Sequence, residues 1–552
     1  MEHEPNPIRI EVFKHLYSSI AEEMGVILRR ASYSPNIKER RDFSCAVFDA
    51  HGKMIAQAAH IPVHLGSMPL SVAAAIEKFT HYNGCKQTTS LNPGDAILMN
   101  DPFRGGTHLP DLTLVSPVFL EKSLNGKEIS KFETDVSDDQ HILIGFVASR
   151  AHHADVGGIS PGSMSISREI FQEGLIIPPV RFLFNGTVNQ DVLDLILTNV
   201  RTPQERSGDL FAQVAANQRG IERLLSLVRR YGIDVIENTM QALLSYAERM
   251  TREFLKDLPD GTYTYRDYLD DNGESEGVVP IQVKIIIKGD EAIVDFSGSA
   301  QQQIAGVNAV YAITLSAVNY VFRCLLSIDV PNNSGCLEPI TIVAPLGTVI
   351  NAQHPAPVVA GNVETSQRIV DVLLGALHAA CPERIPAASQ GTMNNITIGG
   401  KTDNGTAFTY YETIGGGIGA GPWGSGPSAL HSHMTNTMNT PVEAVEYAYP
   451  IRVLRYEIRQ DSGGAGQYTG GDGIRRDIQS LVESQLSLIT ERRIISPYGL
   501  ENGHPGAKGE NLLIRGGKEI PLPGKGNFEL KRLDILSIRT PGGGGFGKPE
   551  MT

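Results

Sequence analysis

Along residues 8–33, IRIEVFKHLYSSIAEEMGVILRRASY, apolar side chains return every three or four positions. That spacing predicts an amphipathic helix. The pattern then shortens. CAVFDAHGKMIAQ (45–57) alternates around His51-Gly52 and predicts a hairpin. SMPLSVAAAIEKF returns to helical spacing, and NPGDAILMNDP (92–102) predicts a buried strand between two turns. DLTLVSPVFL and ILIGFVASR are strand-like, and the polar stretch between them, 123–141, reads as a surface insertion in a hairpin. Residues 203–256 predict two long helices, with Gly232 as the stop between them. GTYTYRDYL and VPIQVKIIIKGDEAIVDFSG predict antiparallel strands with a turn at Gly289-Asp290. VNAVYAITLSAVNYVFRCLLS (307–327) and RIVDVLLGALHAA (368–380) predict buried helices, and short strands between glycine turns follow from about 450.

Helices mixed with mainly antiparallel strands, and no solenoid-length repeat, predict a multi-layer α+β fold. A length of 552 residues predicts about two or three domains in one compact subunit. The pattern shifts suggest an N-terminal site domain over 1–200, a helical spine over 201–260, a mixed β/α middle over 261–390 and a glycine-rich β region over 391–552.

Composition narrows the partners. A net charge of −13 without basic runs argues against nucleic acid and anionic membranes. The five cysteines include no CxxC pair, and the first residues lack an apolar signal region. No uninterrupted apolar run reaches the ~18 residues of a membrane span. The expected location is therefore cytoplasmic. The 57 glycines cluster at 415–426, 463–473 and 541–547, which suggests a loop-rich C-terminal third whose backbone turns tightly, takes positive φ or approaches something closely.

Two stretches carry candidate chemistry. NDPFRGGTHLPDLTLV (100–115) sets His108 and Asp111 three apart, just before a strand. Such a pair alone more often caps a turn than binds a ligand. SRAHHADVGG (149–158) adds His152, His153 and Asp155 just after the second strand. If the two strands form a hairpin, those ends meet. Imidazole and carboxylate donors there would suit Mn, Zn or Fe with a coordination position left open. Neighbouring residues of a strand face opposite ways, so only one of His152 and His153 is expected to bind. The other is a candidate acid/base, and Asp155 a candidate for orienting a histidine.

Other polar residues are candidates for substrate contact: Arg41 beside Arg40, His64 beside His60, and Glu364 before a helix. For Glu364, a helix cap by Thr365 or Ser366 is the competing explanation. Ser44-Cys45 invites a nucleophile reading, but no base is evident and Cys45 reads as buried. His431 and His433 form a further polar stretch that suggests a second site or a cavity wall. There is no GxxxxGK[ST], and the glycine-rich loops do not match a dinucleotide fingerprint.

ERRDFSCAVFD, HIPVHLGSMP, NDPFRGGTHLPDLTLV, ASRAHHADVGGISPGSMS, GNVETSQRIVD, SGGAGQYTGGDGIRR and TPGGGGFGKP occur in this order along almost the whole chain. In this the sequence resembles the hydantoinase B / 5-oxoprolinase family. The resemblance implies a subunit of an ATP-dependent cyclic amidohydrolase. An A-type ATPase partner would bind ATP and phosphorylate a small cyclic amide, and this chain would open the activated ring within a hetero-oligomer. It also implies a divalent metal on His108, Asp111 and His152, carried over from the His-x-x-Asp pair and later histidine of the carboxylase branch. His153 and Asp155 would then assist catalysis. The alternatives are a ketone carboxylase subunit of the acetone or acetophenone type, and a scaffold that only docks the ATPase. The polar 123–141 stretch is longer than the family's usual turn, which bears on surface shape and on the subunit contact but leaves the site motifs intact.

Overall fold

The computed structural model describes residues 6–58, 60–83, 86–122 and 141–549. The fold is α+β. Its first part contains strands β1 (Phe43–Asp49), β2 (Met54–Gln57), β3 (Thr80–Asn83), β4 (Lys86–Thr89), β5 (Ala96–Met99), β6 (Asp111–Glu121), β7 (His141–His152), β8 (Val180–Phe184) and β9 (Thr187–Val188). Seven of these form one sheet in the order β2-β1-β7-β6-β5-β8-β9, while β3 and β4 pair separately. The predicted hairpin of β1 and β2 is present, as is that of β6 and β7. Most of the polar stretch between β6 and β7, residues 123–140, lies outside the described residues.

Helices cover both faces of this sheet. They begin with α1 (Pro7–Ala31), α2 (Pro35–Lys38), α3 (Ser67–Phe79), α4 (Gln190–Thr198), α5 (Pro203–Tyr231) and α6 (Ile233–Asp257). The apolar stripe of α1, including Phe13, Tyr17, Ile20, Met24 and Leu28, packs with Leu224 and Val228 of α5 against Cys45, Val47 and Val147. The alternate side chains, Ala46, Phe48, Phe146 and Ala148, meet Met68, Val72 and Ala75 of α3 on the other face. Period-two alternation thus gives each strand an α5 face and an α3 face. Gly232, at φ 86, ends α5 and lets α6 begin at once.

The middle of the chain adds β10 (Gly261–Leu269), β11 (Val279–Lys288), β12 (Glu291–Asp295) and β13 (Ile340–Val343), with α7 (Tyr311–Leu325) and α8 (Ser366–Leu377). Ile281, Val283, Ile285 and Ile287 of β11 share a core with Ile313, Val321 and Phe322 of α7 and Ile369 and Leu373 of α8.

Two further sheets pack together. One runs β15 (Ala407–Glu412), β14 (Asn395–Lys401), β18 (Ser484–Ile489), β21 (Lys525–Leu530); the other runs β16 (Ile451–Arg459), β17 (Gly473–Ser480), β22 (Ile535–Arg539), β19 (Glu510–Arg515), β20 (Lys518–Leu522). Ile396, Ile398 and Leu488 meet Ile478, Leu513 and Leu536 between them.

Beside this sandwich the glycine stretches are loops, as expected, and of the three uses of glycine they take mainly the close approach. Residues 541–546 pass between four other segments, around 388, 417–420, 464–471 and 500–507, and bond to each of them. The N–H groups of Gly543, Gly544 and Gly545 donate to the carbonyls of Gly471, Ala388 and His504 at 2.9, 2.8 and 2.9 Å. The carbonyls of Gly543, Gly544 and Gly545 accept from Gly464, Ala420 and Leu500 at 2.8, 2.9 and 3.0 Å. Backbones lie so close that a Cβ on Gly543 would stand 2.1 Å from the Ile418 carbonyl oxygen, and one on Gly417 would stand 1.9 Å from that of Gly471. These glycines provide close approach of main chains rather than positive φ.

Candidate metal centre

Sheet register brings the two sequence motifs together. On adjacent antiparallel strands, Asp111, the first residue of β6, stands opposite His152, the last of β7. Directly opposed residues of a pair share a face, here the α3 face. His108, in the loop leading into β6, closes the group. His108 Nε2 lies 3.2 Å from His152 Nδ1 and 3.2 Å from Asp111 Oδ1, and His152 Nδ1 lies 3.3 Å from that oxygen. All three residues are buried, and they are the group of His, Cys, Asp and Glu side chains among the described residues whose donor atoms converge as a metal requires. Bonds of ~2.0–2.1 Å to one ion at tetrahedral angles would separate ligand atoms by roughly 3.4 Å. The observed triangle fits that spacing.

The surroundings prepare these atoms. The Val359 carbonyl lies 3.3 Å from His108 Nδ1 and accepts its proton, which leaves Nε2 as the atom turned to the site. The ring of His152 stacks on Tyr411 at 4.6 Å between centroids. The Tyr411 hydroxyl donates to Asn395 at 2.9 Å, which fixes the stacking partner. Asn362 places Nδ2 3.1 Å from His108 Nε2, while its own Oδ1 and the Nε2 of His152 are buried without a partner among the described residues. A buried amide oxygen beside such a cluster suits a cation. Burial opposes charge on Asp111, but His108, and hydrogen bonds from His108, His152 and His64, hold its carboxyl well below the ordinary range. Burial also favours neutral His108, yet Asp111 and the Val359 carbonyl outweigh it and raise that imidazole. Burial pushes His152 and His64 down. The result is one anionic oxygen donor facing imidazole nitrogens, the donor set of Zn, Mn or Fe sites.

A small cavity adjoins the triad. Asp42, Ile61, Val63, His64, His152, Asn362, Val363, Met393, Tyr411, Thr413, Met434 and Thr435 line it. Its wall therefore mixes carboxylate, imidazole and amide groups with apolar side chains.

The remaining candidates fall elsewhere. His153 occupies the opposite strand face, as adjacent strand residues must. Its Nε2 lies 3.0 Å from Gln213 of α5, so it is separated from the cavity by the sheet. Asp155 is likewise not beside the triad. Its oxygens accept from the N–H groups of Gly157, Gly162 and Arg201 and from the Arg201 guanidinium, which fixes the turn after β7. Arg41 is exposed at φ 57, whereas Arg40 is the buried arginine, 2.8 Å from Thr413 Oγ1 and 3.2 Å from Glu412. Glu364 lies behind the wall, where its Oε1 accepts from Met393 N and Asn395 Nδ2. Neither Thr365 nor Ser366 caps α8, because residues Gly361–Thr365 form a wide helical turn leading into it. His433 sits 3.8 Å from Asp371, and it is Met434 and Thr435 of that stretch that reach the cavity. His64 does line the cavity. It also supplies the base not evident in the sequence, since its Nδ1 lies 2.8 Å from Ser44 Oγ. Cys45 is buried, and burial pushes its thiol up. Sequence reasoning passed over Asp42, Asn362 and Tyr411. Asp42 and Asn362 belong to the ERRDF and GNVET motifs, but Tyr411 carries no local signal.

Fold and site define a class: an α+β chain in which facing strand ends bury a His–Asp–His group beside a small polar cavity. Within that class, the Hydantoinase B/oxoprolinase model matches residues 6–549, and the chain belongs to this family. A Methanocaldococcus jannaschii protein of uncharacterized function is 44% identical over 543 residues, covering 98% of this chain and 91% of that protein. The 5-oxoprolinase 1 of Arabidopsis thaliana is 39% identical over 568 residues; the match covers 98% of this chain but 42% of that longer protein. A Pseudomonas protein named as the B-type subunit of a D-/L-hydantoinase is 30% identical over 562 residues, covering 99% of this chain and 90% of that protein. The crystal structure of an ATP-dependent caprolactamase from Pseudomonas jessenii superposes with a TM-score of 0.87 at 28% identity, covering 98% of this chain and 91% of that one.

Proposed function

We propose that this chain is the B-type subunit of an ATP-dependent cyclic amidohydrolase. It would act on a lactam or imide that an A-type ATPase subunit has phosphorylated. The observation that carries the reading is the buried convergence of His108 Nε2, Asp111 Oδ1 and His152 Nδ1 beside a cavity. The names of the relatives, oxoprolinase, hydantoinase and caprolactamase, share cyclic amides as the substrate class. His108, Asp111 and His152 would hold a divalent ion. When bound, such an ion supplies Lewis-acid charge and acidified water for attack on an amide-derived carbon.

The chain's own residues do the rest. Ile61, Val63, Met393 and Met434 restrict water at the cavity. The cavity, about 20 Å³, takes one water-sized group, such as a water or the amide oxygen of a ring at its mouth, and Asn362, Thr413 and Thr435 offer that group hydrogen bonds. Asp42 also lines the cavity, with Oδ2 3.6 Å from the buried Arg40 guanidinium, and offers a carboxylate acceptor there.

Co-expression with an A-type subunit tests the proposal. ATP-dependent turnover is screened on 5-oxoproline, hydantoins and lactams, with and without bicarbonate. His108→Ala and Asp111→Ala should each remove bound metal and lower ring opening by at least ~100-fold, with the partner's basal ATPase retained. Full hydrolysis by the metal-free double variant would sink the metal reading. Bicarbonate-dependent turnover of ketones would move the assignment to a carboxylase.

A further inference from the structure

Ser44 and His64 form a chain that ends on Asp111. Ser44 lies on β1 and shares the α3 face with Ala46 and Phe48. His64 ends the short turn Pro62–His64 and is 1% exposed. Its Nε2 stands 3.3 Å from Asp111 Oδ2, and its Nδ1 stands 2.8 Å from Ser44 Oγ. The charge on Asp111 assigns each hydrogen. An ionised carboxylate only accepts, so the proton of neutral His64 sits on Nε2. Nδ1 is then the acceptor, and the Ser44 hydroxyl donates to it. Thr107 Oγ1 donates to the same Oδ2 at 2.5 Å.

The two oxygens of Asp111 are thereby divided. Oδ2 takes donors from His64 and Thr107, while Oδ1 faces His108 and His152. A carboxylate without such restraint rotates broadly about its last bond and offers either oxygen or both. We propose that His64 and Ser44 are positioning residues of the metal centre: they lock Asp111 so that a single oxygen, Oδ1, is presented to the ion. The inference rests on the metal reading above and deepens it.

The order serine–imidazole–carboxylate matches that of an acyl-transfer triad. Ser44, however, is 0% exposed and does not line the cavity, whereas His64 does. With its hydroxyl enclosed in the sheet, Ser44 has no substrate to attack, and its hydrogen bond serves to fix the His64 ring.

The test compares wild type, Ser44→Ala, His64→Ala and His64→Gln, purified with the A-type subunit and stripped of metal. Affinity for Mn2+ and Co2+ is measured by chelator competition, and the Co2+ absorption spectrum reports coordination. Wild type should bind one ion per chain. His64→Ala should weaken binding by roughly 10–100-fold and alter the Co2+ spectrum. His64→Gln, whose amide nitrogen reaches the same carboxylate oxygen, should restore most of the affinity. Ser44→Ala should cost a few-fold, since it frees the ring without removing its donor. Thermal unfolding of the metal-free forms checks folding; if His64→Ala does not fold, Ser44→Ala decides, by a loss of affinity that His64→Gln does not share. His64→Ala and Ser44→Ala with wild-type affinity and spectra would overturn the positioning role while leaving the metal reading intact. A wild-type protein that binds neither ion would overturn both.

Discussion

Glu364 shows how much a single side chain depends on what surrounds it. It sits 0% exposed, and burial, reinforced by Glu491, pushes its carboxyl up to about 8. The proton is therefore held in the folded state at neutral pH. A raised acid binds more protons folded than unfolded, so its contribution to stability is full below pH ~4.5, falls as pH rises, and is lost above about 8. Glu364→Gln should leave stability at pH 5 within about 1 kcal/mol of wild type and make the variant relatively more stable at pH 9, by a few kcal/mol. Denaturant melts at the two pH values read this directly, and parallel curves would contradict the burial argument. His153 offers the opposite case. Because it faces α5, His153→Gln should keep the metal stoichiometry and cost about 1–3 kcal/mol in stability through its contact with Gln213. Loss of metal in that variant would return His153 to the centre. His108 and Asp111 stood out in the sequence because HLPD leads into a strand, whereas AHHAD left His152 and His153 as alternatives and only the family resemblance favoured His152. The Ser44–His64 link was not legible, since it joins a strand and a turn 20 residues apart through a contact no local pattern encodes.

At the level of elements, apolar period is what made the fold readable. The α1 stripe repeats every three or four residues, and the helix spans Pro7–Ala31, close to the stretch from 8 to 33. The β6–β7 hairpin was legible because ILIGFVASR resumed strand character after a polar interval. The glycine segments were legible as loops, but which of their uses applied was not, for the complementary reason. Periodicity is carried by side chains, and a stretch without them gives no signal that distinguishes a turn from a loop packed main chain against main chain. The distinction is testable with two alanines. Gly543→Ala places a Cβ 2.1 Å from a carbonyl oxygen and should cost more than about 4 kcal/mol, or prevent folding. Gly516→Ala meets open space at φ 57 and should cost only about 1 kcal/mol. Equal melting temperatures would mean that the bundle is not packed as described.

Across the whole molecule, the site depends on parts of the chain far apart in sequence. The cavity wall draws on residues from Asp42 to Thr435, and the largest core cluster runs from Ile61 to Ile489. Such connectivity ties the metal triad to the C-terminal half, where Tyr411 backs His152 and Asn395 holds Tyr411. The glycine bundle gives that half a different thermodynamic character. Its interior is made of peptide groups bonded to one another, so unfolding it hydrates amides more than hydrocarbon. Amide hydration lowers the heat capacity of the unfolded chain, whereas hydrocarbon hydration raises it. The calorimetric heat-capacity increment should therefore fall below the ~12–15 cal/mol/K per residue of ordinary globular proteins. A smaller increment flattens the stability curve, so this part of the molecule would hold together over a wider span of temperature, in cold as well as in heat, than one with an oily core of equal size.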